Sequence, residues 1–163
     1  MKYLNLWLLA ISCLILMSGS GNADKITVGY YPGKQLPNFL FCDVEGKAHQ
    51  LNEYRGSKVV INFWASYDAQ SRANNVQLHN YLKENYPFIK FISISFDTNK
   101  NVFQRTARMD NLDEFSQFFE VEGTASEMYK NFRLNRGFRS YLVDENGVVM
   151  DMNVTPNSID TKV

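Results

Sequence analysis

The segment Lys58 to Trp64 (KVVINFW) is an apolar, β-branched run of strand length, the pattern of a strand buried on both faces of a sheet. A polar turn follows and opens a helical pattern from Ser71 to Tyr86. Leu78, Tyr81, Leu82 and Tyr86 recur there at helical spacing until Pro87 ends the run. Phe88 to Phe96 (FIKFISISF) then alternates as a second strand. Strand, helix and strand in that order make the two strands parallel neighbours joined by a right-handed crossover. This one unit commits the chain to an α/β architecture.

The flanks build outward from it. Phe39 to Asp43 and Gly46-Lys47-Ala48 read as a hairpin turning at Asp43-Val44-Glu45-Gly46, and Asp24 to Asn38, with its spaced Gly and Pro, as an irregular lead-in. Leu51 to Gly56 is a short turn. Asn99 to Arg108 and Ala125 to Phe132 read as helices, and Leu112 to Phe119 fits neither period. Ser140 to Val143 and Val148 to Met152 form a second hairpin around Asp144-Glu145-Asn146-Gly147. The tail from Asn153 to Val163 is polar, and Asn157 to Val163 reads as too short for a final helix. The expected fold is a mixed sheet flanked by helices, with an N-terminal β-hairpin extension.

Charge and cysteine content narrow the function. The chain of 163 residues carries 17 basic and 17 acidic side chains, which gives no support to nucleic-acid or polybasic membrane binding. Lys2, the apolar run Leu6 to Met17 and the small-residue site Gly21-Asn22-Ala23 make an export signal, cleaved after Ala23. The apolar run is shorter than the ~20 residues of a membrane span. Cys13 lies inside it, which argues against a lipid-carrying cysteine. The expected mature protein is one domain, residues 24–163, in the periplasm or envelope. Removing Lys2 with the leader leaves 16 basic and 17 acidic residues, a net charge of −1, and a single cysteine, Cys42, which excludes an internal disulfide.

Four stretches resemble one family. Pro37-Asn38-Phe39 with Asp43 and Gly46-Lys47, then Leu51 with Tyr54-Arg55-Gly56 and Lys58, then Val59 to Ser66 (VVINFWAS), and finally Tyr141-Leu142-Val143-Asp144 with Gly147-Val148-Val149 are similar to the TlpA/ResA-type exported thiol-disulfide oxidoreductases. That branch has the thioredoxin fold and lies close to the AhpC/TSA redoxins. The likeness spans about residues 36–152 and implies a thioredoxin-like fold with its reaction centre at the turn after Trp64.

The family's chemistry needs a cysteine thiolate stabilised at a helix N-terminus and a second cysteine to resolve the mixed disulfide. In this chain Asp68 and Ser71 hold those two positions. The acidic position three residues further on is Asn74, and the cis-proline position before the last hairpin is Phe138. Neither a carboxylate nor a serine hydroxyl is a nucleophile toward sulfur, whereas both cap helices well. No catalytic residue is therefore expected, and no cofactor.

The resemblance implies that the loop after Trp64 faces the loop before the last hairpin across a groove, which would be lined by Trp64, Tyr67, Asp68, Arg136, Phe138 and Arg139. Aromatics and arginine are enriched in binding hot spots. The expected partner is a protein or peptide in the envelope. His79 lies two helical turns beyond Ser71, too far to serve it, and neither His79 nor His49 has metal-ligand spacing. Cys42 reads as a core or edge residue, and Arg105 and Arg108 as a solvated helix face. The alternatives are a divergent oxidoreductase using Cys42 or a partner's cysteines, which makes that thiol reactive, and a structural subunit of an envelope assembly.

Overall fold

The computed structural model describes residues 27–163. The expected leader, residues 1–23, and Cys13 within it lie outside the described residues. The strands are β1 (Leu40–Asp43), β2 (Ala48–Gln50), β3 (Val59–Trp64), β4 (Lys90–Ser95), β5 (Gln117–Phe119), β6 (Ser140–Val143) and β7 (Val149–Met152). They form one sheet in the order β2-β1-β5-β4-β3-β6-β7. β3 and β4 are parallel, as the crossover requires, and β6 and β7 close the far side as an antiparallel hairpin. Helices α1 (Ala69–Asn85), α2 (Lys100–Met109), α3 (Glu127–Asn131) and α4 (Pro156–Lys162) flank it. The mixed sheet, the flanking helices and the N-terminal hairpin are all as expected.

β3 is buried along its whole length, so its alternation selects a face and not solvent. Val59, Ile61 and Phe63 join the largest core cluster with Ile92, Ile94, Phe96 and Phe132. Val60 packs on the opposite side with Leu78 and Leu82 of α1, and Trp64 with Phe103 of α2. Burying each such side chain stabilises the fold by ~1.5–3 kcal/mol.

The α1 face of the sheet carries a polar row between those apolar groups. Ser140, Asn62, Ser93 and Gln117 stand in register across β6, β3, β4 and β5, and all are buried. Asn75 of α1, with no exposed surface, ties three of them together. It accepts from Asn62 Nδ2 at 3.1 Å and Ser93 Oγ at 2.5 Å, and donates to Gln117 Oε1 at 3.3 Å. Buried polar groups are tolerable only when bonded in this way.

Three segments differ from the sequence expectation. Leu112 to Phe119 contains a 3-10 turn, Glu114–Ser116, and the short strand β5, which joins the N-terminal hairpin to β4. The lead-in binds the edge of β7: Gly33 N donates to Val149 O, and Val149 N to Lys34 O, both at 2.9 Å. The tail does form a helix, α4. Thr155 caps it, Pro156 starts it and Ile159 is fully buried. Asp160 also accepts the hydroxyls of Tyr81 and Tyr86, so long-range contacts compensate for the helix's shortness.

Gly147 in the last hairpin turn has φ +75°, and a Cβ there would fall 1.7 Å from Arg55 Nη1. The positive φ favours glycine, and any larger residue would also have to displace the Arg55 guanidinium. The Tyr54-Arg55-Gly56 turn is thereby locked to the hairpin, with Gly56 N donating to Glu145 O at 2.9 Å.

Candidate functional site

The site lies where β3 ends and α1 begins. Asp68 is the N-cap of α1, and its Oδ1 accepts from Ser71 N at 2.8 Å. The helix thus starts at Ala69, two residues before the apolar pattern shows it. Ser71 is buried; its hydroxyl donates to Asp68 O at 3.1 Å and accepts from Ala65 N at 3.3 Å. Asp68 Oδ1 and the Ser71 hydroxyl thus close the strand-to-helix turn, and the rest of the Asp68 carboxyl faces the cavity.

A second carboxylate holds the same loop from below. Asp97, 2 % exposed and just past β4, accepts from Ser66 N at 3.0 Å, Ser66 Oγ at 2.6 Å and Ser95 Oγ at 2.8 Å. Charge-assisted bonds to a buried carboxylate are the strong kind. On the outer side, Arg72 grips Asp110 at the end of α2 with two bonds of 2.7 and 2.5 Å. That bond is the main reason the guanidinium is held above its ordinary pKa. The loop is therefore fixed on three sides.

Across from it stands the Gly137-Phe138-Arg139 segment. Phe138 packs toward Tyr67 with ring centroids 6.4 Å apart, and its other neighbours are Phe96 and Tyr129. The peptide bond before Phe138 is trans. Phe63 N donates to Arg139 O at 3.0 Å, which extends the β3–β6 pairing up to the site. Between the two loops lies a cavity of about 290 Å³ lined by Asp68, Gln70, Ser71, Asn74, Phe138 and Arg139 among others. Asn74 donates to Asn62 Oδ1 at 3.1 Å, which ties the cavity wall to the buried polar row. Tyr67 is largely exposed, and its hydroxyl pKa is raised, chiefly by partial desolvation and then by Tyr129, Asp97 and Asp68.

Three expected groove residues do not line this cavity. Tyr67 stands beside Phe138 but opens onto a separate hollow with Gln70, Arg72 and Asp110. Trp64 is fully buried against Phe103, because its place in the alternation of β3 turns it toward α2. Arg136 is exposed at the end of the 3-10 turn Leu134–Arg136 and lines no part of the cavity. His79 does meet a carboxylate, but that of Asp113 (3.0 Å) at the far end of α1. Cys42 lies in β1, on the same register row as Trp64 but three strand spacings away, roughly 14 Å. Sequence reasoning missed Asp97, Asn62 and Ser66. A lone Asp after a strand and an Asn inside one carry no periodic signal, and only the register shows them under the loop.

The β3–turn–α1 unit, the Phe138 loop and the closing hairpin match a known pattern as a whole: residues 32–152 fit the model of the AhpC/TSA family. The chain belongs to the AhpC/TSA family. It is similar to the thioredoxin-like protein YneN of Bacillus subtilis, 25 % identical over 155 residues that cover 91 % of this chain and 89 % of YneN. It is also similar to the thiol-disulfide oxidoreductase ResA of Bacillus cereus, 24 % identical over 90 % of this chain and 86 % of ResA. Among solved structures, a thioredoxin-like protein from Parabacteroides distasonis superposes with a TM-score of 0.72 at 36 % identity, covering 84 % of this chain and 97 % of that one. A thiol-disulfide oxidoreductase from Bacteroides fragilis superposes at 0.68 and 20 % identity, over 79 % and 96 % of the two chains, a likeness of fold. This AhpC/TSA member is thioredoxin-like in fold, with Asp68 and Ser71 at the turn where the resemblance places the family's two cysteines.

Proposed function

We propose that this chain is a redox-inactive, exported thioredoxin-like protein that binds a peptide or protein segment in the groove between the Tyr67 and Phe138 loops. The observation that carries the reading is the occupation of Asp68 and Ser71. Asp68 Oδ1 caps α1, the Ser71 hydroxyl closes its turn, and neither a carboxylate nor a hydroxyl replaces a thiolate in attacking a disulfide. The turn keeps its shape without the reaction. The paired aromatics Tyr67 and Phe138 and the Arg139 side chain then offer the residue types that dominate protein recognition. Cys42, about 14 Å away across two intervening strands, is too remote to act at this groove. Export rests on the leader pattern of residues 1–23.

The test is photo-crosslinking. A photoreactive residue replaces Tyr67, and separately Phe138, in the mature protein, which is then exposed to an envelope extract of its own cell. The reading expects one discrete partner from both positions and none from the exposed face of α2. Absence of a groove-dependent crosslink at either position overturns it.

A further inference from the structure

Beside the groove lies a second cavity of about 300 Å³ whose lining is cationic and phenolic. Lys130, Arg133 and Arg139 line it together with Tyr30, Tyr31 and Tyr141, and no acidic side chain does. Arg139 lines both cavities, so the two lie side by side about that residue. Lys130 is partly engaged, with Glu127 at 3.0 Å. Neither Arg133 nor Arg139 has an acidic partner among the described residues, although Arg72 a short distance along the fold does.

The backbone adds a second observation. Arg133 follows the end of α3 with φ 54° and ψ 43°, the left-handed region where glycine normally terminates a helix. An arginine there is strained in a way glycine or asparagine is not. Strain of this sort gathers at ligand sites. The phenols are built in from behind: Tyr30 sits edge-on to Phe132 at 4.8 Å, and Phe132 edge-on to Tyr141 at 5.4 Å. The Tyr141 phenol is a donor at neutral pH, as any tyrosine is, and burial, only partly opposed by Arg139, pushes it further up to about 12. Guanidinium forks with hydroxyl donors at their side match a planar oxyanion.

We propose that this cavity is the carboxylate subsite of the groove, seating an Asp or Glu side chain of the bound polypeptide between Arg133 and Arg139. The proposal rests on the groove reading above. It adds the chemistry of the partner: an acidic residue a short way from whatever contacts Tyr67 and Phe138.

The test titrates two small probes, acetyl-Glu-Glu-amide and acetyl-Gln-Gln-amide, into the mature protein and follows the arginine Nε–Hε signals by NMR. The Glu probe is expected to shift Arg133 and Arg139 saturably, and the Gln probe neither. Arg133→Asn removes the guanidinium yet accepts the left-handed backbone, and is expected to weaken the Glu probe about ten-fold, as loss of a charge-assisted bond does. Arg139→Gln is the second variant, with the backbone amide spectrum as the check on folding. Equal response to both probes, or undiminished affinity in both variants, overturns the proposal. Crosslinking from Tyr67 does not involve Arg133, so the two readings fail separately. A crosslinked partner with no Glu-selective binding leaves the groove and removes the subsite.

Discussion

If Asp68 serves the helix and not a reaction, replacing it must register in stability with a defined chemical order. Its Oδ1 accepts from Ser71 N at 2.8 Å, one of the helix's unpaired amide donors. Losing an N-cap side chain costs about 1 kcal/mol, and losing a negative charge at the positive end of the helix ~0.3–1 kcal/mol more. Asp68→Ala should therefore destabilise by about 1.5–2 kcal/mol. Asp68→Asn keeps an acceptor oxygen and should lose only the charge part, about 0.5 kcal/mol. Asp68→Cys, which places there the residue the resemblance implies for the family, lacks that oxygen and should fall near alanine. Urea unfolding followed by circular dichroism reads all three. With a slope of ~1–3 kcal/mol per molar, the alanine variant's midpoint drops by about 1 M. Parent-like midpoints for alanine and asparagine alike would refute the capping argument. So would asparagine falling with alanine, since the hydrogen bond would then carry nothing.

Asn75→Ala removes the hub of the buried row and leaves Asn62, Ser93 and Gln117 each short of a partner. At ~1–3 kcal/mol per unsatisfied group, with Ser93 free to rotate, the loss should be about 3–5 kcal/mol by the same urea titration, and a loss under about 1 kcal/mol would deny the row its structural role. A pH titration tests the far end of α1. Burial raises the pKa of Asp113, but bonds from His79, Ser116 and Phe115 N outweigh it and leave the carboxyl below its usual range. A depressed carboxyl stabilises the fold above its unfolded pKa of ~3.9, and that contribution fades as pH falls through the folded pKa. Asp113→Asn should therefore lower the urea midpoint at pH 7 and flatten its decline between about pH 5 and 3. An unchanged slope would mean the pair with His79 does not form in solution.

How much of this was legible depends on how local the cause is. The β3–α1–β4 unit announces itself because apolar alternation and helical spacing are properties of short windows, and Pro87 marks the boundary. β5 is invisible for the opposite reason. Three residues, Gln117–Phe119, buried by strands on both sides, have no period to show. The start of α1 was hidden because its inward face is half polar. Ser71 and Asn75 recur at helical spacing with Leu78 and Leu82, yet only the latter two look like core. α4 depends on tyrosines more than 70 positions away. In the site, the pairing of the Tyr67 and Phe138 loops was readable from the resemblance. The fate of Trp64 was not: parity puts it on the face of Val60 and Asn62, but only the placed helices show Phe103 covering it.

The reason this turn holds its form with no thiol in it lies in the order of dependence among its parts. A thiolate at a helix N-terminus is stabilised by the amides of the first turn. Those amides need an acceptor whether or not a reaction uses them, and Asp68 supplies one. Ser71 repeats the logic one turn on, filling a buried position with a hydroxyl bonded at both ends. Once α1 is capped, Asp97 can hold Ser66, and Ser66 in turn fixes where Tyr67 emerges opposite Phe138. None of these steps passes through a thiol. The geometry that the chemistry would have needed is thus retained by interactions independent of it. On the reading proposed above, recognition by the same two loops asks only that they stay at their present separation.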